Sequence, residues 1–270
     1  MRLLIGHDGS AYADAAIADL QRAGLPKDVE ALVVTVGDAP VVAPFASHRI
    51  IEQTFVGERV LSIVKHANKQ SEEALSETRD IAENAALQLS THFPTWLVSS
   101  EVATGRPAAQ LIRTATQIGA DLVVVGTHGR STLGRFILGS VSLEVLSNAP
   151  CAVRVGRGVT KGKRAGLRIL VVLDRAYDTD KVLRHVLQRS WPRGTELRVV
   201  AVEEENEEAL GIFQDLFTGD MKVSAGVLKG ETPEVLVTEA RRWDADCIVL
   251  GSTTWSEVLI DAECSLEIVR

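Results

Sequence analysis

Residues 105–126 read GRPAAQLIRTATQIGADLVVVG, and residues 230–251 read GETPEVLVTEARRWDADCIVLG. The stretches are equal in length, and Ala115, Ala120, Asp121 and Gly126 match Ala240, Ala245, Asp246 and Gly251. Each runs from a glycine through a helical pattern into a short β-branched run that ends on glycine, a helix followed by a buried strand. A second matched block lies upstream in each half. Arg2 to Asp8 (RLLIGHD) resembles Arg168 to Asp174 (RILVVLD), and Pro26 and Val36 are answered by Pro192 and Val202 at the same offset. Two matched blocks in the same order indicate a duplicated domain. The expected boundaries are residues 1–156 for the first copy and 167–270 for the second. Residues 157–166, rich in Gly and basic side chains, are read as a flexible linker.

The pattern around these blocks sets the fold class. In the first half Leu3–His7, Ala31–Val36, Leu97–Val102, Asp121–Val125 and Cys151–Val155 read as strands. Ala11–Ala23, Glu58–Leu89, Ala108–Gln117 and Ser140–Ser147 read as helices. Near-continuous apolar strands alternating with helices predict an α/β fold, each copy an open parallel sheet flanked by helices, with the second copy shortened. Such sheets bind ligands beyond the carboxyl ends of their strands, where the strand order switches. Asp8, Val36 and Gly126 all sit at strand exits.

Composition removes several function classes. The chain has 270 residues, 46% of them apolar and 24% charged, with a formal net charge of −7. An acidic protein gains no general attraction to nucleic acid or anionic lipid, so neither partner is expected. No stretch reaches the roughly 20 apolar residues of a membrane span. Asp8 comes too early for a signal peptide. Three scattered cysteines, Cys151, Cys247 and Cys264, suit a reducing cytoplasm and form no zinc spacing. The six histidines are equally scattered; His7, beside Asp8, is a packing residue or a base for attack on a phosphate.

The segment after the Asp121–Val125 strand carries the chemistry. Gly126, Gly129 and Gly139-Ser140 precede a helix. Glycines allow close backbone approach and positive φ, and a helix start offers unpaired N–H groups and partial positive charge to an anion. Ser140 caps that helix or meets a phosphate oxygen. The same residues also suit plain turns and a cap, and physics alone leaves both readings standing.

The spacing Gly126-x2-Gly129-x9-Gly139-Ser140 resembles the nucleotide-binding signature of universal stress protein domains. Asp8-Gly9-Ser10, Gly105-Arg106-Pro107 and Ala149-Pro150-Cys151 support it. The resemblance covers residues 1–156, with 167–270 as a degenerate copy. It implies tandem flavodoxin-like, adenine-nucleotide α-hydrolase-like domains in a cytoplasmic stress-response protein. It also implies ATP, or ADP or AMP, with Mg²⁺ accompanying the phosphates. By that resemblance Asp8 and Val36 meet the adenosine end, while Gly126, Gly129, Gly139, Ser140 and Val141 hold ribose and phosphates. His128 and Arg130 lie within reach of phosphate inside the same loop. Slow ATP hydrolysis or phosphoryl transfer, and a nucleotide-free interaction module, remain alternatives.

The second half departs from this pattern. Thr254 stands for Gly129. Aligning Ser265-Leu266-Glu267 with Ser142-Leu143-Glu144 puts Ala262 and Glu263 at the Gly139-Ser140 positions, where a carboxylate repels phosphate. No nucleotide is expected there. That alignment leaves the second copy without a fifth strand, so the Cys151–Val155 strand is expected to be an edge that pairs two chains as a homodimer. Gly37–Gln53 is expected to be a lid or a dimer contact, and the acidic run Glu203–Glu208 a solvated helix start.

Overall fold

The computed structural model of the protein describes residues 1–37, 58–130, 136–158, 166–173, 179–202, 221–230, 232–251, 258 and 261–270. In the first half the chain runs β1 (Arg2–Gly6), α1 (Ala11–Asp19), β2 (Glu30–Gly37), α2 (Glu58–His92), β3 (Leu97–Thr104), α3 (Pro107–Ile118) and β4 (Leu122–Val125). A two-stranded hairpin follows, β5 (His128–Arg130) and β6 (Phe136–Ile137), then α4 (Ser140–Asn148) and β7 (Ala152–Val155). The second half runs β8 (Arg168–Leu173), α5 (Thr179–Leu187), β9 (Glu196–Val202), β10 (Lys222–Leu228), α6 (Thr232–Arg242), β11 (Cys247–Leu250) and β12 (Ser265–Ile268). The strand and helix expectations for the first half hold to within a few residues; the β5–β6 hairpin is new. Expectations for Gly37–Gln53 beyond Gly37, for Asp174, for Glu203–Glu208 and for Thr254 lie outside the described residues.

At several positions the repeat read from the sequence has a structural reason. Gly119 ends α3 in the left-handed conformation (φ 59°), and Asp244 does the same after α6 (φ 54°). Ala120 N–H then bonds Ala115 O, as Ala245 N–H bonds Ala240 O. Asp121 accepts the backbone N–H of Arg2 at 2.7 Å, and Asp246 that of Arg168 at 2.8 Å. The two arginines return the contact to the helix ends, Arg2 to Ile118 O and Arg168 to Trp243 O. Each matched Asp therefore fastens the start of its half's first strand to its fourth.

Among the described residues, all strands but β5 and β6 join one ten-stranded sheet, ordered β10-β9-β8-β11-β12-β7-β4-β1-β2-β3. Each half contributes a parallel 3-2-1-4-5 arrangement, and the halves meet where β7 and β12 run antiparallel. The fold class is the expected one; the order is 3-2-1-4-5 rather than flavodoxin's own 2-1-3-4-5. The second half does have a fifth strand. Ser265 to Ile268, aligned by sequence with the α4 helix, is extended and paired on both sides, with β11 and with β7. What the second half has lost is length before that strand: residues 251–264 stand where 126–151 stand in the first half.

The expected homodimer edge is therefore not an edge. β7 is paired with β4 on one side and β12 on the other. The linker expectation also needs trimming, because Arg157 is buried and its N–H donates to Ser265 Oγ at 3.2 Å. Residues 159–165 lie outside the described set.

Strand alternation divides the core. On one face a single apolar cluster crosses both halves, from Leu4, Val123 and Val153 to Leu266, Ile248 and Leu170. On the other face each half has its own cluster, around Leu3, Ile5 and Ile17 and around Ile169, Val171 and Val186. Between those two clusters lies a buried charged network. Arg154, opposite Glu267 in register, donates from Nε to Asp19 at 2.8 Å and from Nη1 to Glu267 at 2.7 Å. Arg189 and His185 of the second half also meet Glu267, and Ser265 Oγ bonds Asp19 at 2.7 Å.

Candidate functional site

In the first half, neighbours β1 and β4 lead to helices on opposite sides of the sheet, which opens a crevice beyond their carboxyl ends. A cleft of about 390 Å³ occupies that place. Val34 and Val36, two apart on β2, present one face to it. Pro107 and Leu111, one turn apart on α3, close the apolar side. The polar side is formed by Asp8 and Ser10 after β1, by Gly126 and Thr127 after β4, and by Gly139, Ser140 and Val141 at the start of α4. Six of the nine sequence-chosen residues thus converge: Asp8, Val36, Gly126, Gly139, Ser140 and Val141. His128, Gly129 and Arg130 form β5, and their side chains lie outside the described residues. The rest of the apolar wall, Val34, Pro107 and Leu111, was missed, although the i, i+2 spacing on β2 and the i, i+4 spacing on α3 carried it.

The glycines act through close approach rather than through unusual φ. A Cβ on Gly126 would lie 2.7 Å from the Tyr12 carbonyl oxygen, so the chain leaving β4 passes directly against α1. A Cβ on Gly6 would lie 2.7 Å from Leu111 Cδ1. Gly139 is extended (φ −65°, ψ 155°) and is itself the N-cap of α4, with no side-chain cap hydrogen bond. Ser140 occupies the first helical position and is not the cap. The first turn of α4 consequently turns its N–H groups toward the cleft without a capping side chain, an arrangement suited to an anion. Ser142 anchors this turn by donating to Gly126 O at 2.7 Å.

On the opposite rim, Gly9 takes a left-handed conformation (φ 78°) and lets the chain turn from β1 into α1. Ser10 N–H donates to Asp8 Oδ1 at 3.0 Å, and Ser10 Oγ caps α1 by accepting Ala13 N–H. Partial burial raises the Asp8 pKa, but hydrogen bonds from Ser10 outweigh it and hold the carboxyl below its ordinary value. His7 is 6% exposed. Its Nδ1 accepts Gly9 N–H at 3.1 Å, so Nε2 carries the proton and donates to Asp14 Oδ1, also at 3.1 Å. Both ring nitrogens are engaged, which removes His7 as a base for attack on phosphate. Arg106, in the Gly105-Arg106-Pro107 stretch, is exposed and pairs with Glu144 at 3.3 Å.

In the second half Glu263 does not take the phosphate position. It precedes β12, whose first residue Ser265 is level with Cys247 at the start of β11, and it pairs with Arg241 at 3.3 Å. That is the amino end of the strands, opposite to a ligand crevice. The loss of length between β11 and β12, not carboxylate repulsion, separates this half from the first.

Residues 1–157 match the model of the universal stress protein family. A universal stress protein of Mycolicibacterium smegmatis is 23% identical over 271 residues, 93% of this chain and 86% of that protein. One from Methanocaldococcus jannaschii is 34% identical over 87 residues, 32% of this chain and 46% of that protein. The crystal structure of a universal stress protein from Archaeoglobus fulgidus superposes with a TM-score of 0.71 at 16% identity, covering 100% of this chain and 98% of that one. No helix among the described residues is long and apolar enough to cross a membrane. With Gly126, Gly139 and Ser140 of the signature lining one cleft, the chain belongs to the universal stress protein family.

Proposed function

We propose that the first half binds one adenine nucleotide, ATP, as a regulatory ligand in a stress-response role, and that the second half binds none. The observation that carries this reading is the α4 N-terminus, without a side-chain cap, facing the cleft at Gly139, Ser140 and Val141. A volume of about 390 Å³ lies within the range of small-ligand sites. The apolar side at Val34, Val36 and Leu111 suits a purine. Asp8 suits hydroxyl or amino donors at that end. Gly126 and the α4 turn suit ribose and phosphates, and Mg²⁺ would arrive with the phosphates.

The second half keeps the sheet but has only residues 251–264 where the first half builds its hairpin and nine-residue helix. It serves as a packing partner that covers β7. The engagement of both His7 nitrogens argues for binding rather than turnover.

Whatever co-purifies with the protein is to be extracted and identified by mass spectrometry, beside a Gly139→Glu variant. The extended backbone at Gly139 puts no conformational strain on a side chain, and the variant's carboxylate repels phosphate. About one ATP or ADP per chain, lost in the variant, supports the reading. Two per chain overturns the silent second half. No nucleotide, with no thermal stabilisation by added ATP, overturns the reading and favours an interaction module.

A further inference from the structure

We propose that His7 is a pH-sensitive positioning residue: only its neutral imidazole holds the Asp8–Gly9–Ser10 turn in the form that presents Asp8 to the cleft. For its ligand readout this rests on the nucleotide reading above. The geometry is a relay of single bonds. Asp14 Oδ1 accepts from His7 Nε2, His7 Nδ1 accepts from Gly9 N–H, and Ser10 N–H reaches Asp8 Oδ1, with distances of 3.1, 3.1 and 3.0 Å. Gly9 stands at φ 78°, so the direction of its N–H is fixed by the turn and not by regular structure. His7 is itself pinned, because its own N–H donates to Val34 O at 3.0 Å. The His7 backbone cannot follow the turn without losing that bond.

Protonation of His7 places an N–H at Nδ1. Two donors then face each other, and the Gly9 N–H loses its acceptor beside a ring that is 6% exposed. The turn must swing to relieve this, and Asp8 moves with it. Among the described residues, the charged groups at the ring are Asp14, from α1, and Asp8, from the turn. β2 contributes the Val34 carbonyl, β4 and its exit contribute Val125 and Gly126 to the same cleft, and α2 places Ile81 against Gly9. Both carboxylates attract positive charge at the ring, while the Gly9 bond needs Nδ1 without a proton. Asp14 is half exposed, so solvent screens its attraction. A change of charge on this ring therefore changes the turn.

The test uses the full-length protein, with ATP affinity measured calorimetrically at about pH 8 and about pH 5.5. His7→Asn places a carboxamide oxygen near the Nδ1 position, which accepts Gly9 N–H and does not titrate. His7→Phe keeps the ring and removes the acceptor. Wild type is expected to weaken by roughly five- to tenfold at the lower pH, the factor one lost hydrogen bond carries. His7→Asn is expected to bind more tightly than His7→Phe and to lose the pH dependence that distinguishes wild type. The same fall with pH in His7→Asn as in wild type would overturn the proposal.

A ligand-free readout separates this from failure of the nucleotide reading. In nitrogen-labelled protein without ATP, the Gly9 amide resonance is expected to move with the midpoint of the His7 ring in wild type and to stay still in His7→Asn. If ATP binds nowhere at pH 8 but Gly9 follows His7, the nucleotide reading fails and the switch stands. A Gly9 amide that ignores His7 protonation, or a ring that stays neutral to about pH 5, sinks the switch.

Discussion

Arg154 and Glu267 show how much can rest on one residue pair. Removing two ions from water costs several kcal/mol each, so such a pair is weak as a source of stability, but deleting one partner strands the others. Glu267 serves Arg154, Arg189 and His185 at once. Glu267→Gln is expected to cost about 3–5 kcal/mol in urea denaturation. The double variant Arg154→Met/Glu267→Leu is expected to cost clearly less than the sum of its single variants, because it removes the charges together. Burial pushes the Glu267 pKa up, yet Arg189, His185 and Arg154 overcome this and hold it well below the usual carboxylate range. A folded-state value below the unfolded one stabilises fully above about pH 4.3 and is lost as pH falls through the folded value. Acid titration of stability should therefore show a loss that begins below about pH 4.3 and continues into strong acid, and a shallower one in Glu267→Gln. At the cleft, Gly126→Ala drives a Cβ against the Tyr12 carbonyl oxygen, a backbone atom with no side-chain freedom. It is expected to lose about 1–3 kcal/mol of stability, and to lose co-purifying nucleotide as well.

At the scale of elements the instructive pair is Ser142 to Val145 and Ser265 to Ile268. Their sequences, SLEV and SLEI, are nearly the same, yet one lies in α4 and the other is β12. Four residues do not decide; their surroundings do. Ser142 finds Gly126 O and Glu144 stays near solvent, while Ser265 finds Asp19 and Glu267 finds two buried arginines. With β11 and β7 on its two sides, β12 should be among the most protected strands in hydrogen exchange. The amides of β7 and β12 are expected to exchange only with global unfolding, and those of the edge strands β3 and β10 sooner. Exchange in β12 as fast as in β10 would mean that the halves part by local opening. This pair also marks what the sequence made legible. The repeat was readable because residues matched in the two halves make the same contact within each half, Asp121 with Arg2 and Asp246 with Arg168. The polar rim was readable because glycine and helix-start chemistry are local. Partners from the other half were not: nothing near Ser265 announces Asp19, 246 residues away. The register of Arg154 with Glu267, and with it the covering of the presumed dimer edge, belongs to that same class of contact.

For the molecule as a whole, the question is whether two similar halves behave as two bodies or one. Several features tie them. The sheet is continuous through β7 and β12, and one apolar cluster runs under both halves. The other face is bridged by the charged network, by Arg22 with Asp246 at 2.9 Å, and by Gly24, whose missing Cβ makes room for the Trp191 ring. Separating the halves would expose the charged groups singly and unpair two strands that are buried on both faces. That cost removes the usual reason for a half-unfolded intermediate. Calorimetry is therefore expected to show one transition, with calorimetric and van't Hoff enthalpies in agreement. Added ATP supplies the sharper form of the test. On the proposed reading it binds the first half alone and stabilises by mass action, by about 2.7 kcal/mol at a hundred times its Kd. In a single cooperative unit the whole peak moves upward, the second half gaining stability from a ligand it never touches. Two peaks, of which ATP moves one, would show that the ten-stranded sheet divides at β7 and β12 and that the network between α1 and α5 does not couple the halves.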